Sequence, residues 1–352
     1  MKDRLPNFEL LRVVCMFMIL ILHFLGKGNV LSEVNLDSVN YIMAMGLEFL
    51  SLVSVNCFAL ITGWFMGNKE IKEEDVKNKV VNLWGRTWIY SCSIYLILLL
   101  TRTISFNFLD CFFAIFPFFS KEYWFISSYI VLYCLIPFIN KMISGVTDKT
   151  YMLCVLFIVF CAWPTFFPFA DTLDNTQGCG IIWLIFMYLV GAYLREVNIP
   201  SKSWGVLYFL CCVVSLVGWL VYQSIYRVVG RGSCFGFSFM GNNSIMIFIA
   251  SICLFLFFAQ LDTVCWNDRI KKIILFLSPN MIGVYLIHEQ KQLREILWTQ
   301  IIPAKRISEK TPLEFVGLLC LMVFLIMIGC VFVDKICGWL QCKLKVKCVS
   351  KE

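Results

Sequence analysis

Residues 8–26 read FELLRVVCMFMILILHFLG. Apart from Glu9, Arg12 and His23 the run is apolar, and its length is close to the ~20 residues that a helix needs to cross a bilayer. A basic start before an apolar run also resembles a secretory signal. This run, however, is long, holds ionisable side chains within it and lacks a small-residue cleavage pattern. It reads as a retained first membrane span.

The same pattern recurs outward from it. Apolar runs fall at 8–26, 41–66, 84–101, 123–140, 150–166, 179–195, 203–222, 243–260, 273–290 and 313–334. The stretch 108–119, FLDCFFAIFPFF, is short and broken by Pro117, so it reads as an interfacial or re-entrant piece. Composition agrees: of 352 residues 60% are hydrophobic and 15% charged, with a mean hydropathy of +0.80. Soluble domains run nearer half apolar and a quarter charged. A secreted enzyme, a nucleic-acid-binding domain and a disordered scaffold are thereby excluded. The expected fold is an all-α membrane protein, a polytopic bundle of about ten transmembrane helices forming one domain over residues 1–352 of a cell membrane protein.

The net charge of +7 follows a topological pattern. With the N-terminus inside, segments 1–7, 67–83, 141–149, 195–202, 261–272 and 335–352 hold most of the 30 Lys and Arg, so both termini are expected in the cytoplasm. Loop 291–312 departs from the rule, since it lies outside on this count yet carries Lys291, Arg294, Lys305, Arg306 and Lys310. Either it faces an anionic ligand or the span count is off by one. Most of the 18 Cys lie in apolar runs, where a thiol acts as a small hydrophobe, and no metal-ligand spacing appears.

An ionisable group at membrane depth is costly, and so a functional candidate by default. Arg12 and His23 stand eleven residues apart, about 20° beyond three whole turns, and so share one helix face about 16 Å apart along the axis. The plain alternative is that Arg12 snorkels to the inner surface while His23 sits in the outer interface. His23 and His288 are the only histidines, and imidazole is the side chain best suited to take and return a proton near neutrality. Two His without a nearby pair of carboxylates argue weakly for a metal, so none is expected. Glu48, in MGLEFLSLVSVNCF (45–58), has a depth similar to His23. It is placed either to orient that imidazole or to bond Asn56 or backbone. Lys77, Lys79 and Arg86 open the third span after a basic loop, as phosphate-binding cations or as ordinary inward-facing charge.

Four segments then resemble one family. FELLRVVCMFMILILHF (8–24) matches an Arg-x10-His pattern, and VNCFALITGWFM (55–66) resembles a run ending in Ser/Thr-Gly-Tyr. YWFISSYIVLYCLIPFIN (123–140) is close to Trp-Phe-x-x-x-Tyr-x-x-x-Tyr-x-x-x-Pro, and IGVYLIHEQKQLREILW (282–298) to a Tyr-Leu-x-His segment. In order and spacing they resemble the integral-membrane acyltransferase family, acyltransferase type 3, over essentially the whole chain. Many members carry Arg-x-x-Arg at the start of the third helix. Here KNKVVNLWGR (77–86) has no such pair, a departure that bears on how a donor's phosphates are held and not on the first-helix site.

The resemblance implies transfer of an acyl group, usually acetyl, from cytoplasmic acetyl-CoA to a surface polysaccharide or lipid-linked glycan, as in bacterial capsular or exopolysaccharide O-acetyltransferases. Other envelope-glycan assembly proteins are possible partners, and no nucleic acid is. Arg12, Lys79 and Arg86 would meet the donor, His23 would be the general base with Glu48 as its orienter, and Tyr285, His288 and Arg294 would hold the sugar or the oxyanion. The rival reading is a proton-coupled transporter or flippase using His23, Glu48 and His288 as a relay.

Overall fold

A computed structural model describes residues 4–119, 122–167, 176–229, 237–301 and 304–349. The main helices are α1 (Pro6–Lys27), α2 (Val39–Ser51), α3 (Ser54–Met66), α4 (Glu73–Leu100), α5 (Phe108–Ile115), α6 (Trp124–Ser144), α7 (Lys149–Phe166), α8 (Ile181–Glu196), α9 (Trp204–Val229), α10 (Ile245–Ala259), α11 (Asp268–His288), α12 (Lys291–Glu295) and α13 (Pro312–Val349). No strand occurs among the described residues. Eight helical stretches there are long and apolar enough to cross a membrane, with α2 and α3 counted as one. Each of the ten expected runs falls on helix, α8 and α10 being the shorter ones. The protein is an all-α, multi-pass membrane protein.

Local chemistry sets several boundaries. Pro6 opens α1, where its missing N–H costs nothing, and Lys27 stands in the last turn near the negative end of the helix dipole. Asn107 caps α5 by accepting from the amides of Leu109 and Asp110, which ends the α4–α5 connection in a short surface helix, as the 108–119 reading expects. In α7, a π-helical turn over Ile158–Ala162 precedes Pro164, which can neither donate a hydrogen bond nor tolerate a tight preceding turn. In α11, a 3₁₀ turn at Ser278–Asn280 contains Pro279, and the Asn280 side-chain amide donates to the carbonyls of Phe276 and Leu277.

Packing makes α1 the central element. It touches α2, α3, α10, α11 and α13, and it and the α2–α3 stretch are the most buried of the long apolar helices among the described residues, 61% and 72%, against 11% for α9 and 6% for α7. The closest helix pair is α3 with α8. A Cβ at Gly63 would stand 2.0 Å from the Tyr188 carbonyl oxygen, and one at Gly191 2.3 Å from that of Leu60. Without a hydrophobic drive between helices in lipid, such backbone approach supplies the dispersion contacts that hold them.

Candidate functional site

The last turn of α11 ends at His288, and the chain reverses at Glu289 and Gln290, whose side chain caps α12 by accepting from the Leu293 amide. This reversal turns two consecutive polar side chains back into the bundle beside the end of α1. His23 Nδ1 lies 2.9 Å from His288 Nε2 and 3.1 Å from Glu289 Oε1. His288 Nδ1 is 2.6 Å from the Val284 carbonyl oxygen. His288 is fully buried and the Glu289 side chain is 2% exposed, whereas that of His23 is 19% exposed. Of the three, only His23 is open to a substrate.

Glu289 is a buried carboxylate held by cations from two elements. Lys27, one turn beyond His23 on α1, pairs with it, and Arg294 of α12 lies 3.6 Å away while pairing with Glu122 at 2.5 Å. Unpaired, such a carboxylate would cost several kcal/mol. Beside this group is a cavity of about 290 Å³ lined by Asp110, Phe113, Phe119, Tyr123, Gln290 and Gln292, among others. Lys291 crosses to Asp110 at 2.8 Å, and that hydrogen bond holds its ammonium above the ordinary lysine range. Tyr123 donates to the Leu286 carbonyl at 2.9 Å.

At the other end of α1, Arg12 pairs with Glu9 and is 31% exposed. Lys79 lies within electrostatic reach of Arg4, Arg12 and Arg86. Arg86 is engaged elsewhere: it meets both oxygens of Asp334 on α13 at 2.5 and 2.7 Å, and Tyr90 donates to the same carboxylate. Between the two ends runs a ladder of rings. Tyr133 and Tyr129 are 5.6 Å apart, Tyr129 and Phe125 5.7 Å, Phe125 and Tyr285 6.0 Å, and Tyr285 and His288 5.9 Å. Phe125, Tyr129 and Tyr133 are the aromatic positions of the Trp-Phe-x-x-x-Tyr-x-x-x-Tyr pattern. Their spacing of four puts them on one face of α6, and the Tyr129 hydroxyl is 2.9 Å from that of Thr62.

The expected residues are therefore partly assembled. His23 and His288 meet, and Arg294 reaches Glu289 and Glu122. Lys79 joins Arg12, while Arg86 is bound to Asp334. Glu48 meets neither expected partner. No ion pair or hydrogen bond joins it to His23, one of its oxygens is buried without a partner, and Asn56 is committed to Trp183, Asn242 and Ser251. Tyr285 is buried, its hydroxyl making no well-formed hydrogen bond. Both nitrogens of His288 are occupied, which removes it from direct contact with a sugar. The cations Lys291 and Arg294 of the anomalous loop meet carboxylates of the protein. Sequence reasoning missed Glu289, Lys27, Glu122 and Asp110. The one available signal was Glu289 directly after His288.

Three ligand atoms, from His23, His288 and Glu289, lie within 4.8 Å of one another, as a metal site would require. Two imidazole nitrogens on one tetrahedral zinc, each 2.0–2.1 Å from it, stand about 3.3 Å apart. The 2.9 Å observed is a hydrogen-bond length. Lys27 and Arg294 already neutralise the carboxylate. Two imidazoles in hydrogen-bond contact thus stand beside a buried carboxylate at the end of α1.

The sequence model of the acyltransferase domain family matches residues 5–331, nearly the whole chain. No curated protein and no solved structure gives a significant match. With four family-like segments converging on one end of α1 and on the ladder beside it, the chain belongs to the acyltransferase type 3 family, and its general activity is acyl transfer.

Proposed function

We propose that the protein moves an acetyl group from cytoplasmic acetyl-CoA to a hydroxyl of a surface polysaccharide or its lipid-linked precursor, in the cytoplasmic membrane of a bacterium, with His23 as general base. The observation that carries this reading is a partly exposed imidazole whose one nitrogen is held at 2.9 Å by His288 with the Glu289 carboxylate 3.1 Å away, on the helix that carries Arg12 at its other end.

The donor's anionic end would dock near Arg12, Lys79 and Arg4, which lie within reach of one another without an obvious surplus of carboxylate beyond Glu9. Arg86, being neutralised by Asp334, would shape that region and not bind phosphate. The narrow pantetheine arm would follow the ring ladder to His23. The thioester supplies the free energy, so no nucleotide hydrolysis is needed.

The acceptor would enter from the opposite, external face through the cavity beside Glu122. Its size is near the lower bound of small-molecule sites, which suits one sugar unit better than several. Phe113, Phe119 and Tyr123 offer ring faces to a sugar's C–H edges, while Gln290, Gln292 and Asp110 offer partners to its hydroxyls.

The deciding assay is acetyl transfer from labelled acetyl-CoA to the envelope glycan by purified protein in detergent. His23→Ala should fold and lower turnover by about 10²- to 10⁴-fold, the usual worth of a general base. Wild-type rates in that variant would remove His23 from the chemistry. Proton-driven uptake into vesicles without turnover would favour transport.

A further inference from the structure

We infer that His288 is a positioning residue that fixes the tautomer of His23, making Nε2 of His23 the nitrogen that reacts. The inference rests on the reading of His23 as the base, and it starts from hydrogen-bond bookkeeping inside a closed site.

His288 is fully buried, and its Nδ1 faces the Val284 carbonyl oxygen at 2.6 Å. A carbonyl can only accept, so Nδ1 carries a proton. The charges around the ring are balanced already: Lys27 from α1 and Arg294 from α12 are matched by Glu289 and Glu122. An imidazolium here would leave a net buried charge, so His288 is neutral and its Nε2 presents a lone pair. That lone pair is 2.9 Å from His23 Nδ1. Two lone pairs do not face each other at that distance, so His23 Nδ1 bears a proton and donates it. Its other neighbour, Glu289 Oε1, stands 3.1 Å away without completing a hydrogen bond, and a carboxylate oxygen so near also disfavours a lone pair on that nitrogen. Each of these contacts leaves the lone pair of His23 on Nε2. Without its partners, a neutral imidazole would divide between two tautomers, one of them with its lone pair turned into the protein.

The reaction then balances simply. The acceptor hydroxyl gives its proton to His23 Nε2 as its oxygen forms the C–O bond to the acyl carbon. The C–S bond breaks, and the departing thiolate takes the same proton from Nε2. His288 exchanges no atom with substrate; it holds Nδ1–H throughout, and Glu289 offsets the transient positive charge.

Because the chain has only two histidines, ¹⁵N-histidine NMR of the full-length protein in detergent reads this directly. Both rings should show the Nδ1–H tautomer. A His23 signal of the Nε2–H form overturns the inference, whether or not the protein turns over. Kinetics give a second arm. His288→Gln can still accept from His23 through its carbonyl oxygen and donate its amide to Val284, whereas His288→Leu can do neither. The Gln variant should keep kcat within about tenfold of wild type, and the Leu variant should lose about 10², both with the acetyl-CoA KM unchanged. Equal loss in both, or none in the Leu variant, overturns the positioning role. Loss of the acyl-transfer reading would appear differently, as absent turnover in wild-type protein whose tautomers are as described.

Discussion

Glu48 and Glu289 are both acidic residues in apolar surroundings, and the structure gives them opposite circumstances. Glu289 is 2% exposed and shared by Lys27, Arg294 and the His23 ring. Removing its charge leaves Lys27 uncompensated, since Arg294 keeps Glu122, and breaking a buried pair in this way typically costs about 3–5 kcal/mol. Glu289→Gln should therefore lower both the melting temperature in detergent and kcat, and adding Lys27→Met should recover part of the stability but not the rate. Glu48→Gln, remote from His23, should leave kcat within about threefold of wild type in the same acetyl-transfer assay. A large loss there would show that Glu48 serves the reaction by a route the folded structure does not contain. Little of this contrast was legible beforehand. Depth and apolar context marked Glu48, whereas Glu289 lies at the end of a span where a carboxylate is unremarkable, and its partners are 262 residues away in the case of Lys27.

At the scale of elements, Arg86 and Asp334 clamp α4 to α13, and Gly283 of α11 makes the clamp possible. A Cβ at that position would stand 2.2 Å from Asp334 Oδ1. Three helices thus converge where the basic loop alone suggested a phosphate site. The two roles separate experimentally. If Arg86 is structural, Arg86→Met should destabilise strongly because it strands a buried carboxylate. The pair Arg86→Met with Asp334→Asn should then recover most of the melting temperature with an unchanged KM for acetyl-CoA. A raised KM persisting in the double variant would return Arg86 to the donor. The spacing of Phe125, Tyr129 and Tyr133 did predict a shared helix face. That this face aligns with Tyr285 and His288 required the break at Pro279, which sets how α11 ends.

For the whole molecule, the decisive property is a buried helix with ionisable groups toward both ends. On the proposed reading, Arg12 at one end and His23 at the other would let reagents from two compartments meet within one bundle. The Lys and Arg distribution predicts that the Arg12 end lies inside. A C-terminal fluorescent fusion should then be bright and an alkaline phosphatase fusion inactive, and the reverse pattern would invert the assignment of donor and acceptor faces.

Sequence alone determined the membrane-spanning all-α class, the positions of the helices, and the common face of Arg12 and His23. These follow from hydrophobicity and the 3.6-residue period, which are local and survive without knowledge of neighbours. Only the tertiary structure decided which carboxylate meets the imidazole, that His288 faces His23 across 265 residues of chain, and that Arg86 is neutralised. Such pairings depend on helix rotation and on where broken helices stop. Those are set by packing among all the spans together, so no single span's pattern contains them.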